Sequence, residues 1–249
     1  MPWRETTDPY NILVSEVMLQ QTQVQRVLPK YQEFLKTFPT LQSLALAQDR
    51  KLLKVWQGLG YWKRALFLKK AAKKIVKNHE KKFPQSPEAL EKLPGIGPYT
   101  ARAIACFAFL NKDAFLDTNI RKVYLHFFFP KRKNVSDKEI LKVAEKAVFK
   151  KNVREWHYAL LDYGATVLKD KKINKRSKHH VKQSKFKDSF RSFRTKVMRF
   201  LLDQPRQTAT TSKIQRLLKK ANSPYVPERI LASLEKDDLI KKKGGSYSL

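Results

Sequence analysis

Two carboxylates stand in sequence settings that could do chemistry. Glu16 lies in ILVSEVMLQQTQV, bordered by Val14, Val17 and Met18; Asp117 lies in AFLDTNIRKVYL, behind Ala114, Phe115 and Leu116. An acid withdrawn from water among apolar neighbours keeps its proton to higher pH and becomes a donor near neutrality. An aspartate at a helix start is instead favoured as the anion by the helix N-terminus. Such an anion, shielded from bulk water, suits a sugar that develops positive charge as its base departs. Each residue also has a plainer reading: Glu16 as a surface charge on an amphipathic helix, Asp117 as a helix cap and nothing more.

Between them comes Leu93-Pro94-Gly95-Ile96-Gly97, preceded by SPEALEKL and followed by PYTARAIACFAFL. Ser86 with Pro87, and Pro98 after the glycines, mark two helix starts. Glycines between two helices allow a tight turn and let backbone amides meet a phosphate without side-chain interference. This helix-hairpin-helix pattern grips DNA without reading its sequence; an ordinary helix–helix turn is the alternative. The chain's 53 Lys+Arg against 22 Asp+Glu, a net charge of +31, point to a polyanionic partner. Gly95, Ile96, Gly97 and Thr100 are thus candidate DNA contacts. Arg64, Arg121, Lys63 and Lys122 are candidate phosphate contacts that could equally be solvated charges.

The elements that must position these residues are mainly α. Asp8-Pro9 starts a helix whose apolar residues recur through Ile12, Leu13, Val17, Val24 and Leu28. Further helices are predicted at about 29–37, 40–46, 49–57, 61–79, 86–92, 98–110, 117–128, 136–149 and 153–168. Residues 169–187, KDKKINKRSKHHVKQSKFK, read as a basic linker or mobile loop. Helices at about 189–203, 209–221 and 227–236, then a hairpin turned at Gly244-Gly245, suggest a winged helix over 188–249. The expected organisation is a domain over 1–168, the linker, and this appendage. No apolar run reaches the ~20 residues of a membrane span, and MPWRETTDPY lacks signal-peptide order, so a soluble, cytoplasmic protein is expected. Cys106 is the only cysteine, which excludes an internal disulfide and a four-cysteine metal or iron–sulfur site.

The order DPYNILVSEVMLQQTQV, GLGYWKRA, LPGIGPYTARAIA, FLDTNIRKV, ALLDYGA, from Trp3 to about Val167, closely resembles the MutY-type adenine DNA glycosylases. The resemblance implies a bilobal helix-hairpin-helix DNA glycosylase fold and a monomer on double-stranded DNA containing a mispair. It implies excision of adenine opposite guanine or 8-oxoguanine. Glu16 would protonate the departing adenine at a ring nitrogen and Asp117 would stabilise the sugar cation, as an ion or by a transient bond. Tyr99 and Asn119 would hydrogen-bond around the sugar and the carboxylates. Trp3, Arg4 and Leu19 would border the flipped base, while Gln20, Gln21, Thr22 and Tyr61 would probe the gap and the opposite strand. Relatives resembling endonuclease III carry a Schiff-base lysine where Tyr99 stands, so base removal without strand cleavage is expected.

Three departures accompany the resemblance. The cysteine loop that holds an iron–sulfur cluster in most relatives is replaced by the basic stretch, so no cofactor is expected. His179 and His180 read as solvated, and Lys171, Lys172, Lys175, Arg176 and Lys178 as electrostatic substitutes for that loop's grip on DNA. The chain starts at the family's Pro-Trp segment, which fits a reduced lobe or a fragment. The tail is not the Nudix-like domain of many members, and His157-Tyr158 replace a polar pair near the adenine. A thymine or uracil mismatch glycosylase and a non-catalytic DNA-binding protein are the competing readings.

Overall fold

The computed structural model describes residues 1–78, 82–170, 172–181 and 185–249. In chain order they form α1 (Pro9–Leu19), α2 (Val24–Thr37), α3 (Leu41–Ala45), α4 (Asp49–Trp56), α5 (Lys63–Asn78), α6 (Pro87–Glu91), α7 (Pro98–Phe109), α8 (Thr118–Phe128), α9 (Asp137–Ala147) and α10 (Val153–Asp162). A π-helical turn (Tyr163–Val167) and a 3-10 turn (Ile173–Arg176) lead to α11 (Phe190–Asp203), β1 (Thr208–Thr210), α12 (Thr211–Lys220), α13 (Pro227–Lys236), β2 (Lys241–Lys243) and β3 (Ser246–Ser248). The fold is mainly α, as the periodicity indicates.

Two compact units are present: Met1–Val17 with His79–Lys182, and Met18–Asn78 with Gln183–Leu249. These divisions differ from the boundaries expected at 168 and 188. The reason is local packing: the C-terminal segment clusters with α4 and α5 instead of standing apart.

The first unit is built around α7, whose Ala101, Ala103, Ile104, Ala105 and Cys106 are fully buried. Small side chains there let α6 and α10 approach closely. Helix starts are secured by side chains: Ser86 accepts from the Ala89 amide, and Ser136 with Glu139 forms a reciprocal capping box. The expectation of a loose basic linker is corrected here. Ile173 and Ser177 are buried, the Val135 amide donates to the Arg176 carbonyl at 2.9 Å, and the Lys178 amide returns to the Val135 carbonyl at 2.9 Å. The Arg176 guanidinium donates to the Phe129 and Pro130 carbonyls. Lys172, Lys175 and Lys178 remain exposed, as do His179 and His180, while Lys171 lies outside the described residues.

The second unit packs Phe34 edge-on against Trp56 at 5.9 Å, within a core that includes Leu44, Leu52, Leu53, Leu68 and Ile75. Its C-terminal part has winged-helix order, α11-β1-α12-α13-β2-β3. The sheet order is β1-β3-β2 with both pairs antiparallel, and Tyr247 stands opposite Ala209 and Lys242. Gly244, at φ 55°, turns the β2–β3 hairpin. The strand β1 was not expected, because three residues between helices carry no alternation to read. Asp237 ties the segment down by accepting from Lys63 at 2.9 Å and Arg194 at 2.5 Å.

The apolar spacing from Ile12 to Leu28 does not make one helix. α1 ends at Leu19, Gln21 adopts φ 56°, and Val24 is 38% exposed. Arg64 accounts for this break. Its Nη1 donates to the carbonyls of Met18 (2.8 Å) and Gln20 (2.7 Å). Its Nη2 donates to the Thr22 hydroxyl (2.9 Å) and to the carbonyls of Leu59 (3.1 Å) and Gly60 (3.2 Å). Arg64 is therefore a buried hub closing two loops, not the phosphate contact expected from sequence. Burial lowers its pKa to about 10, so it stays charged at neutral pH. Replacing Arg64 by Met should lower stability by about 3 kcal/mol, because several acceptors would be left dry. Arg64→Lys should recover less than half, since an ammonium lacks the planar fork. Urea denaturation midpoints of the three proteins check this.

Candidate active site

The candidate site lies in the first unit and begins with α1. Asp8 starts that helix, its Oδ1 accepting from the amides of Tyr10 (2.8 Å) and Asn11 (3.0 Å). Ile12, Leu13, Val14, Ser15, Val17 and Met18 are all buried, and Glu16 among them is only 6% exposed. Of its two sequence readings, the surface charge is therefore excluded. The Glu16 carboxyl is hydrogen-bonded to the Tyr99 hydroxyl from α7. The Tyr99 ring meets Phe115 edge-on at 5.7 Å, and Phe115 stacks on His157 at 4.1 Å.

Asp117 caps α8: its Oδ1 accepts from the amides of Asn119 (2.9 Å) and Ile120 (2.6 Å). Cap and candidate catalyst are the same side chain. The start of α8 is pressed from behind by the π-helical turn. A Cβ on Gly164 would lie 2.3 Å from the Asn119 carbonyl oxygen and 2.7 Å from its carbonyl carbon. Lys122 donates to the carbonyls of Gly164 (2.6 Å) and Leu168 (2.9 Å), binding the turn to α8. Lys122 is thus engaged within the fold, and so is Arg121, whose fork holds Asp137 at 2.8 and 2.7 Å. Both expectations of phosphate contact are corrected: these cations fasten the helix that carries Asp117.

In the N-terminal segment, Trp3 is buried in the core beneath a 3-10 turn and presents Arg4. Arg4 forms a two-pronged ion pair with Asp162, both bonds 2.7 Å, and lies 4.4 Å over the Tyr158 ring. Arg154 holds the turn by donating to the carbonyls of Arg4 (2.8 Å) and Thr6 (2.6 Å). Asp162 and Arg154 were not picked out from sequence as site residues, and Tyr158 was noted only as part of the pair that departs from the family pattern. Asp162 sits inside ALLDYGA, and its acidic character was the one available signal.

In the hairpin, Gly95 adopts φ 78° and Gly97 stands at the N-cap of α7 with open space where a Cβ would be. Outside groups can therefore approach that backbone. Ile96 and Thr100 are buried, and the Ile96 amide donates to the Leu93 carbonyl. Their side chains shape the hairpin from within, which leaves its backbone as the part that can meet a phosphate. Leu19, Gln20, Gln21, Thr22 and Tyr61 belong to the second unit. Leu19 and Gln20 are half-buried, Gln21 is exposed, Thr22 accepts from Arg64, and the Tyr61 hydroxyl accepts from Arg191.

Burial drives both acids toward proton retention, and different neighbours oppose it at each. Burial pushes Glu16 up to about 7; the Tyr99 hydroxyl opposes this, the charge of Asp117 adds to it, and Arg4 opposes it more weakly. Burial also raises Asp117, against the two backbone N–H groups and the charges of Arg121 and Lys122. Tyr99 is pushed well above the usual phenol range by burial and by both acids, so it is neutral and able to donate. Burial thus holds the proton on Glu16 up to about pH 7, while at Asp117 the two backbone N–H groups and the nearby cations favour the anion against burial. The lone cysteine, Cys106, is buried and its pKa is pushed up to about 12. Among the described residues no three His, Cys, Asp or Glu side chains gather as a group that could hold a metal.

Two outcomes follow from this geometry. Gly164→Ala should cost about 2–3 kcal/mol in thermal or urea unfolding, because backbone must move to admit the methyl group. For Glu16, the folded state binds the proton more tightly than the unfolded chain. Its stabilising contribution is complete below pH 4.5 and is lost as pH rises through about 7. Relative to Glu16→Gln, which cannot titrate, the protein should lose roughly 3 kcal/mol of stability between pH 4 and pH 8. A flat difference between the two unfolding curves across that range would contradict the burial effect.

Residues 14–150 match the model of the HhH-GPD superfamily of base excision DNA repair proteins. The adenine DNA glycosylase of Buchnera aphidicola subsp. Baizongia pistaciae is 36% identical over 171 residues, covering 67% of this chain and 48% of that protein. That of Mycobacterium tuberculosis is 44% identical over 124 residues, covering 49% and 41%. The human adenine DNA glycosylase is 39% identical over 132 residues, covering 49% and 24%. The chain spans about half the length, or less, of these relatives. The structure of a thermostable thymine-DNA glycosylase superposes with a TM-score of 0.63 at 29% identity, covering 67% of this chain and 78% of that one. A non-covalent endonuclease III–DNA complex, 19% identical with a TM-score of 0.55, shares the fold over 64% and 74% of the two chains. With more than half of its length matched by the family model, and an acid, a tyrosine and a capping aspartate drawn together behind a glycine hairpin, the chain belongs to the HhH-GPD superfamily of base excision DNA repair proteins.

Proposed function

We propose that the chain is a monofunctional adenine DNA glycosylase that removes adenine mispaired with guanine or 8-oxoguanine, acting as a monomer on duplex DNA without a cofactor. The observation that carries this reading is the buried Glu16, hydrogen-bonded to Tyr99 and within the field of Asp117. The names of the curated relatives support adenine as the base. The open hairpin backbone and the net charge of +31 support DNA as the partner.

In this reading the target nucleotide leaves the stack before reaction. Glu16 gives its proton to a ring nitrogen of the adenine, and the glycosidic C–N bond breaks with its electron pair going to the base. The sugar is left as an oxocarbenium ion, stabilised by the Asp117 carboxylate. Water adds to the anomeric carbon and its proton returns to Glu16, leaving an abasic site. Tyr99 orients Glu16; as a phenol it cannot form the Schiff base through which a lysine would open the strand.

A thymine or uracil mismatch glycosylase is the second reading, favoured by the likeness to the thymine-DNA glycosylase structure. Single-turnover incubation with duplexes carrying A:8-oxoguanine, A:G, T:G and U:G, with and without alkali, separates the two. Breaks in the adenine strand only after alkali are expected. Excision confined to T or U would replace the adenine reading, and breaks without alkali would show a lyase. Glu16→Gln and Asp117→Asn should each slow excision by about 10²–10⁴-fold. Because Glu16 must be protonated to act and its pKa is about 7, the excision rate should fall with rising pH above that value, approaching tenfold per unit.

A further inference from the structure

In the second unit, Arg191 links the winged-helix segment to the Tyr61 loop. Arg191 stands in the first turn of α11 and donates from Nη1 to the Tyr61 hydroxyl. Its guanidinium lies 5.5 Å from the centre of the Tyr61 ring, and that of Arg64 lies at the same distance. Two cations therefore lie close to one aromatic ring.

The surroundings hold this arrangement in place. Tyr61 has φ 44° and Gln21 has φ 56°, left-handed values that are unfavourable for a non-glycine residue and persist only where neighbours impose them. Arg64 imposes them by joining Gln20 and Thr22 to Leu59 and Gly60. α11 is itself anchored, with Phe193, Val197 and Met198 buried and Arg194 sharing Asp237 with Lys63, two residues beyond Tyr61. Arg191 is consequently held against Tyr61 by structure on both sides, unlike a solvated surface arginine.

We propose that Arg191 is a specificity-determining positioning residue: acting through Tyr61, it makes the winged-helix segment part of the device that selects a guanine-type base opposite the excised one. The inference rests on the reading of the chain as a mispair-directed glycosylase whose Tyr61 loop meets the opposite strand. Its chemical basis is the difference between base edges. Guanine presents two acceptors, O6 and N7, whereas cytosine presents an amino donor. A tyrosine hydroxyl held by the Arg191 guanidinium, with a second guanidinium close to its ring, sits in a positive field that favours the acceptor-rich edge.

The test uses the full chain and Arg191→Ala, Arg191→Lys, Tyr61→Phe and the Arg191→Ala/Tyr61→Phe double variant. Two ratios are read: single-turnover excision of adenine opposite guanine against opposite cytosine, and affinity for an abasic-analogue duplex with guanine against cytosine opposite. Arg191→Ala and Tyr61→Phe should each reduce the guanine preference about tenfold, the scale of one charge-assisted hydrogen bond, and the double variant should reduce it no further. Arg191→Lys, which keeps the charge and guards against a folding defect, should fall between. A guanine preference within twofold of the parent in Arg191→Ala would overturn the proposal, as would single effects that multiply in the double variant. Loss in Arg191→Ala with full retention in Tyr61→Phe would overturn the route through Tyr61. If the parent excises no adenine, the adenine reading fails, while the binding ratio still decides the role of Arg191.

Discussion

A carboxyl group with almost no access to water is the constraint around which the first unit is arranged. Glu16 is surrounded along α1 by buried apolar residues, and the protein accepts an acid there only because it can remain protonated near neutrality. Tyr99 supplies a hydrogen bond that a dry carboxyl needs, and the negative Asp117 adds to the pressure to keep the proton. Stability and chemistry thus pull in opposite directions at one residue. A glutamine would sit there more comfortably at neutral pH, and it could not give up a proton.

At Asp117 burial also favours the proton, and the anion is supported against it by different means. It caps α8 with two short backbone hydrogen bonds, and the position of that helix start depends on contacts well beyond the acid itself. Gly164 lets the π-helical turn press against the Asn119 carbonyl at a distance no side chain would permit. Lys122 ties the same turn back to α8, and Arg121 holds the helix to Asp137. π-Helical turns often accompany functional sites because they relocate a few residues without breaking the helix around them. Here the turn is placed to set the height of α8 against its neighbours.

The large positive charge has a divided use. Arg64, Arg121, Lys122, Arg154 and Arg176 all direct their donors to carbonyl or carboxylate oxygens of the fold. They close loops where backbone acceptors would otherwise be stranded, a task suited to the planar fork of arginine. Lys172, Lys175 and Lys178 are exposed on a segment that is nonetheless fastened by backbone bonds to Val135. Net charge therefore indicates the kind of partner, while the subset of cations that meets it depends on which are already engaged.

The helical character, nearly every helix among the described residues and the glycine hairpin were legible in the amino-acid order, whereas the choice of Glu16 and Asp117 as partners came from the family resemblance. Caps, prolines, apolar periodicity and motif order are local signals, and they act within a few residues of where they are written. The break after Leu19, the strand Thr208–Thr210, the fastening of the basic stretch and the joining of the C-terminal segment to α4 and α5 were not legible. Each depends on a partner far away in the chain: Arg64 for the break, Tyr247 for the strand, Val135 for the basic stretch, Lys63 and Asp237 for the winged helix. The sequence by itself determined which residues could do acid and anion chemistry. Tertiary structure decided which charges were left to do it, because burial and hydrogen bonding set protonation and occupy donors, and both are properties of surroundings that no local window contains.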